Sequence, residues 1–251
     1  MKPIFLLYVL VGFVAQMIDG ALGMAYGVSS NTFLLSLGIP PAAASASVHM
    51  AEVVTTGVSG FSHWKLGNVD WKLVHRLLIP GVIGGVAGAY VLTSIDGNII
   101  KPYIAAYLLI MGSVIIYKAF TMKPRKKMDE YHGPRISLLG LVGGFCDAIG
   151  GGGWGPVVTT TLVARGKHPR MTIGSVNFSE FFVTLAESVA FVIALSFTQC
   201  WQVIVGLLLG GAGAAPIAAK LTQKLPIKAL MVFVGVLIIL LSIRTLYLTL
   251  K

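Results

Sequence analysis

One short stretch occurs twice in this chain, and each copy interrupts an otherwise apolar segment. Residues 19–27 read Asp-Gly-Ala-Leu-Gly-Met-Ala-Tyr-Gly, and residues 147–155 read Asp-Ala-Ile-Gly-Gly-Gly-Gly-Trp-Gly. Glycine runs make poor helices, because they lose much backbone entropy on folding. In a hydrocarbon environment such a break is tolerated only where protein or a water-filled cavity surrounds it. The two breaks are therefore predicted to form the working centre of the protein.

The composition supports a membrane environment. Of the 251 residues 56% are hydrophobic and only 11% are charged, which is typical of a polytopic membrane protein. The net charge of +10 comes from basic residues in short loops, as the positive-inside rule requires, and does not indicate nucleic-acid binding. The two cysteines have no ligand spacing. The predicted partners are the lipid bilayer and a small substrate, with no metal or other cofactor, and the oligomeric state stays open.

The duplication extends well beyond the breaks. A shift of 128 residues aligns the halves without a gap and matches Gly12 with Gly140, Asp19 with Asp147, Gly23 with Gly151, Gly27 with Gly155, Gly38 with Gly166, Pro41 with Pro169 and Glu52 with Glu180. We therefore predict a first transmembrane repeat at 1–122, a basic cytoplasmic linker at 123–135 and a second transmembrane repeat at 136–251.

Each copy contains one broken apolar segment followed by three unbroken ones. The broken segments are 3–37 and 136–164, and the unbroken ones are 40–64, 73–95, 102–120, 170–197, 201–219 and 229–248. The arms of the first broken segment, 3–18 and 28–37, are short for a crossing, which needs ~20 residues. A broken segment is therefore either one long kinked crossing or a re-entrant hairpin with both ends on the same face.

The distribution of basic residues favours the hairpins. They place four basic loops on one side: Lys65/Lys72/Arg76, the seam 118–135, Arg165/Lys167/Arg170 and Lys220/Lys224/Lys228. Only Lys2, Lys101, Arg244 and Lys251 then lie opposite, an asymmetry that the positive-inside rule favours. One hairpin enters from each face, as in many secondary transporters. The predicted fold is an all-α polytopic membrane protein with two inverted repeats, each one broken or re-entrant hairpin plus three transmembrane helices.

Five acidic residues lie within apolar segments, where a charge costs at least ~2.5 kcal/mol. They are Asp19, Glu52, Asp147, Glu180 and Glu187. The aspartates, beside glycines, either cap half-helices, as Asp does readily, or contact the substrate, and the sequence leaves both open. The glutamates lie in mid-segment, where a structural hydrogen-bonding role competes with proton carriage. Glu52, Glu180 and Glu187 are the candidates for proton coupling.

A second matched motif precedes two of the glutamates. Ser47-Val48-His49 in the first copy corresponds to Ser175-Val176-Asn177 in the second. His49 lies three residues before Glu52 and shares its helix face. A membrane histidine is often only a structural donor, and its counterpart Asn177 keeps hydrogen bonding but does not titrate. Anion contact is therefore expected of both residues, and proton transfer only of His49.

The arms that follow the breaks are polar, with Ser-Ser-Asn-Thr at 29–32 and Thr-Thr-Thr at 159–161. Each starts a half-helix at its break, where free N–H groups and the positive dipole end form an anion site. No Lys or Arg lies well inside an apolar segment, so such a site would hold an anion without a cationic side chain. The predicted substrate-binding residues are Asp19, Gly20, Gly23, Tyr26, Asn31, Ser47, His49, Asp147, Gly151, Gly152, Gly153, Trp154, Thr159, Ser175 and Asn177.

Three runs of residues resemble a known family, the TauE/SafE sulfite-exporter-like permeases. They are Gly-Gly-Gly-Gly-Trp-Gly-Pro at 150–156, the run 169–177 and the loop 63–70. The resemblance implies a multi-pass inner-membrane carrier for small sulfur-containing or organic anions, such as sulfite, sulfoacetate or other sulfonates, usually in the export direction. Residues 21–24, Ala-Leu-Gly-Met, depart from the glycine-rich pattern, which puts equal roles for the two halves in doubt.

Two other functions fit parts of the sequence. Gly-Val-Ser-Gly at 57–60 resembles the GxSG motif of rhomboid-type intramembrane proteases, with His63 and His75 nearby, but GxSG arises easily among 30 glycines and the second copy lacks it. Inverted repeats with two hairpins also suit a passive anion channel. Five embedded carboxylates would repel an anion unless they were protonated, which favours a proton-linked carrier over a channel. Simple facilitated efflux is also feasible, because an anion that leaves an inside-negative cell gains energy from the membrane potential. The expected mechanism is alternating access, and no enzyme activity is predicted.

Overall fold

The computed structural model describes residues 3–22, 25–121, 133–164, 169–195, 201–221 and 227–251. Every regular element in these ranges is helical, and they contain no strand. The elements are α1 (Pro3–Leu22), α2 (Tyr26–Ser36), α3 (Pro41–Lys65), α4 (Trp71–Ser94), α5 (Gly97–Thr121), α6 (Gly133–Gly150), a π-helical turn (Gly155–Thr159) continuing into α7 (Thr160–Ala164), α8 (Pro169–Ala194), α9 (Trp201–Leu221) and α10 (Ile227–Leu250).

The predicted class, an all-α polytopic membrane protein, is confirmed. Four stretches are long and apolar enough to cross a membrane: Trp71–Ser94, Gly97–Thr121, Met171–Ala194 and Met231–Leu250. Ile4–Met17 and Trp201–Ala214 are shorter apolar helices. Helix α3 is 25 residues long but much more polar, because it carries many hydroxyl groups together with His49 and Glu52. Its polar side chains must therefore face protein rather than lipid.

Some boundaries differ from the prediction. Helix α1 extends to Leu22, beyond the predicted end of this arm at residue 18. The last turn of α5 includes Lys118, which the sequence had placed in a basic loop. Helix α6 already starts at Gly133, within the predicted linker, and residues 123–132 of that linker lie outside the described residues. The helices thus continue further into the breaks and the linker than apolar composition alone indicates.

Helices α4 and α6 run in the same direction. A Cβ on Gly140 would lie 2.8 Å from the carbonyl oxygen of Leu77, one on Gly144 would lie 2.2 Å from that of Gly81, and one on Gly88 would lie 2.9 Å from the Ala148 Cβ. The partners therefore advance together along both helices. These approaches bring backbone against backbone, which only glycine permits.

Helix α8 runs parallel to α4 and antiparallel to α3. Along α4, Gly81 approaches Val183 and Gly85 approaches Glu187, so both numbers rise together. Along α3 the order is reversed, because His49 contacts Glu187 whereas Gly60 approaches Phe178. Helices α4, α6 and α8 thus start at the same end of the bundle. A re-entrant second segment returns the chain to the face where α6 begins, so it requires α6 and α8 to run in the same direction. This direction favours the predicted inverted relation of the copies, which stays a prediction.

The two copies are interleaved rather than side by side. The most extensive helix pairs join different copies: α1 packs against α9, α6 against α4, α5 against α10 and α3 against α8. The α1–α9 and α4–α6 pairs are counterparts of each other in the two copies. The centre of the bundle therefore lies between the two copies. Helices α3 and α8 form one side of it, and the two breaks form the other.

Candidate functional site

The two breaks meet. A Cβ on Gly27, at the start of α2, would lie 2.5 Å from the Gly152 Cα and 2.6 Å from the Gly151 carbonyl oxygen. A Cβ on Gly152 would in turn lie 2.2 Å from the backbone nitrogen of Val28. Two stretches that are more than a hundred residues apart in sequence are thus in backbone contact inside the bundle.

Each aspartate caps the half-helix that follows its own break. Asp147 Oδ1 accepts hydrogen bonds from the backbone N–H groups of Gly153 at 2.5 Å and Trp154 at 2.9 Å. Asp19 accepts one from the backbone N–H of Tyr26, which is the counterpart of Trp154 under the 128-residue shift. Capping, one of the two roles left open by the sequence, is therefore observed in both copies. Asp147 Oδ2 has no hydrogen-bond partner and points toward His49, 3.6 Å from Nε2.

The two breaks reach this geometry with different backbones. In the second break Gly151 and Gly152 have φ values of +65° and +146°. In the first break the residue before α2 is Ala25, whose φ is +90°, a region that costs an L-residue energy. The positive φ values of the second break thus fall on glycines, whereas in the described part of the first break one falls on an alanine, at a position that corresponds to Gly153.

The large aromatic side chains after the breaks are anchors. Tyr26 is 1% exposed and donates its hydroxyl hydrogen to the carbonyl of Leu207 at 3.3 Å, in α9. Trp154 is fully buried and donates from Nε1 to the carbonyl of Val176 at 3.3 Å, in α8. Both therefore fix the half-helices against the other helices, a role that sequence alone did not separate from substrate contact.

The polar arms line the same region. Asn31 Nδ2 donates to the carbonyl of Gly150 at 2.5 Å, which ties α2 to the other break. Its Oδ1 atom, the Ser30 hydroxyl and the Thr159 hydroxyl are buried and have no hydrogen-bond partner. Buried polar atoms without partners are costly and are rarely kept without a role. These three atoms are available to a substrate.

A titratable cluster lies beside the second break. His49 Nε2 in α3 is 2.8 Å from Glu187 Oε2 in α8, and Asp147 Oδ2 approaches from α6. His49 and Glu187 are 0% exposed and Asp147 is 1% exposed. One ligand atom from each of the three residues lies within 4.8 Å of the others, so the set has the composition of a metal site as well as that of a proton site.

Glu52 and Glu180 are also buried, and they interact electrostatically with this cluster. The Glu52 carboxyl group has Coulomb interactions with those of Asp147, Asp19 and Glu187 and with the His49 imidazole. The Glu180 carboxyl group interacts in the same way with those of Glu52, Asp147, Asp19 and Glu187. All five membrane-embedded carboxyl groups therefore belong to one electrostatic group.

The residues of the Ser-Val-His and Ser-Val-Asn motifs make different contacts. Ser47 and Ser175 each donate to the carbonyl four residues earlier, those of Ala43 and Met171, at 2.7 Å. Ser175 also accepts from the backbone N–H of Asp70, so these hydroxyls serve helix packing in this conformation. Asn177 Nδ2 donates to Ser59 Oγ at 2.8 Å. Of the motif, only His49 joins the cluster.

Several residues of the site were not predicted. Ser45 accepts His49 Nδ1–H at its carbonyl, 2.7 Å away, and donates its hydroxyl hydrogen to the Ala148 carbonyl at 2.5 Å. Gly85 leaves room for the Glu187 side chain, because a Cβ on residue 85 would lie 2.2 Å from Glu187 Oε1. Lys118 Nζ donates to Thr160 Oγ1 and to the Pro156 carbonyl, beside the second polar arm. Ser45 has a sequence signal, its position one helical turn before His49, whereas the other two depend on tertiary packing.

Two predicted residues are not placed. Gly23 lies outside the described residues, and Gly20 belongs to α1 without further detail. A pocket of about 110 Å³ lies elsewhere, along α1 and α2, and is lined by Leu10, Val11, Val14, Ala15, Ser29, Phe33 and Leu237. Its lining is almost entirely apolar, so it does not have the chemistry of an anion site.

Comparisons with known proteins agree with this architecture. The family model described as sulfite exporter TauE/SafE matches residues 8–245. The probable membrane transporter protein YtnM of Bacillus subtilis (strain 168) is 45% identical over 247 residues, which cover 96% of this chain and 82% of that protein. No solved structure shows significant similarity to the chain. The matches point to a membrane transporter rather than an enzyme.

Proposed function

Because this chain belongs to the sulfite exporter TauE/SafE family of membrane transporters, we propose that it carries small organic or sulfur-containing anions across the cell inner membrane. The substrates are sulfite, sulfoacetate or other sulfonates, and export is the direction of net movement wherever the anion accumulates inside the cell enough to outweigh any opposing ion gradient. The carrier works by alternating access, with the substrate held between the two breaks.

The observation that carries this proposal is the contact between the breaks. Gly27 lies against Gly151 and Gly152, so the starts of two half-helices converge on one buried point. Helix N-termini attract anions through their N–H groups and dipoles. The unpartnered oxygen of Asn31 and the hydroxyl of Thr159 lie on the arms that begin there. Hydroxyl groups and backbone N–H groups suit a tetrahedral oxyanion such as a sulfonate.

Asp147 already demonstrates the affinity of one terminus for an oxyanion, since its carboxylate accepts two backbone N–H groups there. A substrate anion cannot occupy the same groups at the same time. We propose that substrate and carboxylate alternate at this terminus, so that substrate binding is accompanied by withdrawal or protonation of Asp147. This exchange explains why a carrier for anions keeps an aspartate at its centre.

The test is flux into proteoliposomes with a panel of sulfite, sulfoacetate, methanesulfonate and acetate. We expect wild-type protein to move at least one of them saturably and to show counterflow, in which unlabelled anion inside accelerates labelled anion entry. Saturable flux without counterflow would indicate a channel, and absence of flux for the whole panel would refute the proposal.

A pair of variants localises the site. Asn31→Ala removes the side chain that joins α2 to the second break, so we expect at least a tenfold loss of flux, equivalent to about 1.4 kcal/mol of binding energy. The matched control is Ser62→Ala, which removes an exposed hydroxyl bonded only within α3. Equal flux in both variants would place the anion elsewhere.

A further inference from the structure

The buried centre holds more acid than base. Five carboxyl groups, those of Asp19, Glu52, Asp147, Glu180 and Glu187, form one electrostatic group whose basic member is His49. An unpaired buried charge costs several kcal/mol, and a second anion nearby raises that cost. An anionic substrate can therefore enter only when protons neutralise most of these groups.

The contacts of His49 show where one such proton is needed. Nδ1 lies 2.7 Å from the Ser45 carbonyl oxygen, which can only accept, so Nδ1 carries a hydrogen. Nε2 lies 2.8 Å from Glu187 Oε2. Neither atom makes a hydrogen bond of good geometry, and if both were unprotonated, two buried electron-rich atoms would repel each other at this distance. One proton between them removes the repulsion, whether as imidazolium with carboxylate or as imidazole with carboxylic acid.

The same place in the other copy contains a neutral pair. Under the 128-residue shift His49 corresponds to Asn177 and Glu187 to Ser59, and Asn177 Nδ2 donates to Ser59 Oγ at 2.8 Å. Both contacts join α3 to α8. The duplicated contact thus exists once with a proton-binding pair and once with a pair that needs no added proton.

From this geometry we propose that His49 and Glu187 together hold the proton that crosses the membrane with each substrate anion. The proton binds between Nε2 and Oε2 from one side and leaves to the other, and no other bond is made or broken. This proposal rests on the proposed anion transport and adds the identity of the coupling ion and of its carriers.

The groups around the pair fit this role. Helix α6 presents Asp147, whose Oδ2 is 3.6 Å from His49 Nε2. Helix α3 adds Glu52 and α8 adds Glu180, both acidic. Helix α4 presents the uncharged Gly85 directly against Glu187. Among the described residues the charged groups that interact with the pair are therefore acidic, and Asp147 links the pair to the half-helix terminus where we place the substrate.

The experiment compares accumulation driven by a pH gradient with exchange in the absence of one. Proteoliposomes receive radiolabelled methanesulfonate, which stays ionised and cannot cross as a neutral acid, and protein-free liposomes are the blank. With one proton per monoanion, an interior one pH unit more alkaline raises the internal anion about tenfold over the external anion in wild type. If wild type exchanges only sulfoacetate, that anion replaces methanesulfonate.

The decisive variant is Glu187→Gln, which keeps the side-chain volume but carries no titratable group. We expect it to keep anion exchange but to lose accumulation, with a ratio that stays close to one. The double substitution His49→Asn with Glu187→Ser, which copies the neutral pair of the other half, is expected to lose accumulation as well, whatever its exchange rate. Ser59→Ala removes only the neutral counterpart and is expected to retain the tenfold accumulation.

The outcomes separate the possible failures. If wild type moves no anion of the panel, the transport proposal fails first. If wild type accumulates anion and Glu187→Gln still does so, the proton is carried elsewhere and the inference is wrong. Loss of exchange in all His49 and Glu187 variants would assign the pair to folding or substrate binding instead. Tightly bound metal in purified wild type, whose removal abolishes flux, would assign the cluster to a metal and also overturn it.

Discussion

The contact between α3 and α8 occurs twice, and the two versions differ in chemistry. On one side His49 meets Glu187 with both side chains fully buried, and on the other Asn177 meets the partly buried Ser59. Duplication preserved the pairing of positions but made only one of the pairs titratable. The comparison teaches that matched positions in a duplicated chain need not keep matched chemistry.

The breaks show the same division in their backbones. Both carry an aspartate that caps the next half-helix, and both then place an aromatic anchor, Tyr26 or Trp154. The second break achieves this with positive-φ glycines, whereas the first holds Ala25 at φ +90°. In the second break the positive φ values therefore fall on residues that tolerate them, and this break lies next to the titratable pair.

The largest expected effect comes from filling the contact between the breaks. In Gly152→Ala the new Cβ would lie 2.2 Å from the Val28 nitrogen, and φ is +146°, so we expect a loss of about 3 kcal/mol or more of unfolding free energy. The measurement is the free energy of unfolding in detergent from SDS titration. Gly213→Ala, with open space around the Cβ, is the control and should be nearly neutral. A stable Gly152→Ala protein would mean that the breaks do not meet this closely.

The next largest loss of unfolding free energy is expected from removing the aspartate caps, and it should differ between the two copies. Asp147→Ala leaves the N–H groups of Gly153 and Trp154 without their acceptor, so we expect about 2–4 kcal/mol of destabilisation. Asp19→Ala removes one observed cap bond, to Tyr26, and should cost about 1–2 kcal/mol. The same SDS titration gives both values. An equal loss in the two variants would show that the caps are energetically equivalent despite their different bonds.

The space beside Glu187 is tested by its effect on anion accumulation and not by its effect on stability. Gly85→Ala would push a Cβ to 2.2 Å from Glu187 Oε1 and displace the carboxyl group from His49, so we expect the pH-driven accumulation of anion to fall severalfold. In Gly211→Ala the nearest atom is the Tyr26 hydroxyl oxygen at 3.5 Å, an ordinary contact, and accumulation should be unchanged. Accumulation in proteoliposomes is measured for both. If accumulation fell in Gly211→Ala but not in Gly85→Ala, the proton-binding pair would lie beside Gly211 and not beside Gly85.

The sequence predicted the helices and the importance of the breaks, because apolar length and glycine runs are local signals. It also identified all five embedded carboxyl groups, since a charge within an apolar segment is visible without a structure. It assigned Asp147 to substrate binding and Glu187 to proton coupling, but it left capping by Asp147 open and did not indicate that Glu187 contacts His49. That contact depends on which helices pack together, and α3 and α8 belong to different copies.

Other features were beyond sequence reasoning for the same reason. Gly85 is one of 30 glycines, and only the packing of α4 on α8 shows that it accommodates Glu187. Lys118 looked like part of a basic loop, but α5 continues past it and its ammonium group reaches Thr160. The end of a helix is set by capping and tertiary contacts as much as by hydropathy, so such boundaries are predicted least well.

The smallest expected effect tests the strain at Ala25. Glycine tolerates φ +90° without the Cβ clash, so Ala25→Gly should stabilise the protein by about 0.5–1 kcal/mol after the entropy cost of glycine is included. The reverse change at the corresponding position, Gly153→Ala, puts a Cβ 2.6 Å from the Tyr107 hydroxyl oxygen and should destabilise by about 1–3 kcal/mol. SDS titration again measures both. A gain of stability in Ala25→Gly would establish that Ala25 is strained, whereas a loss would mean that the alanine methyl group packs well enough to outweigh its backbone strain.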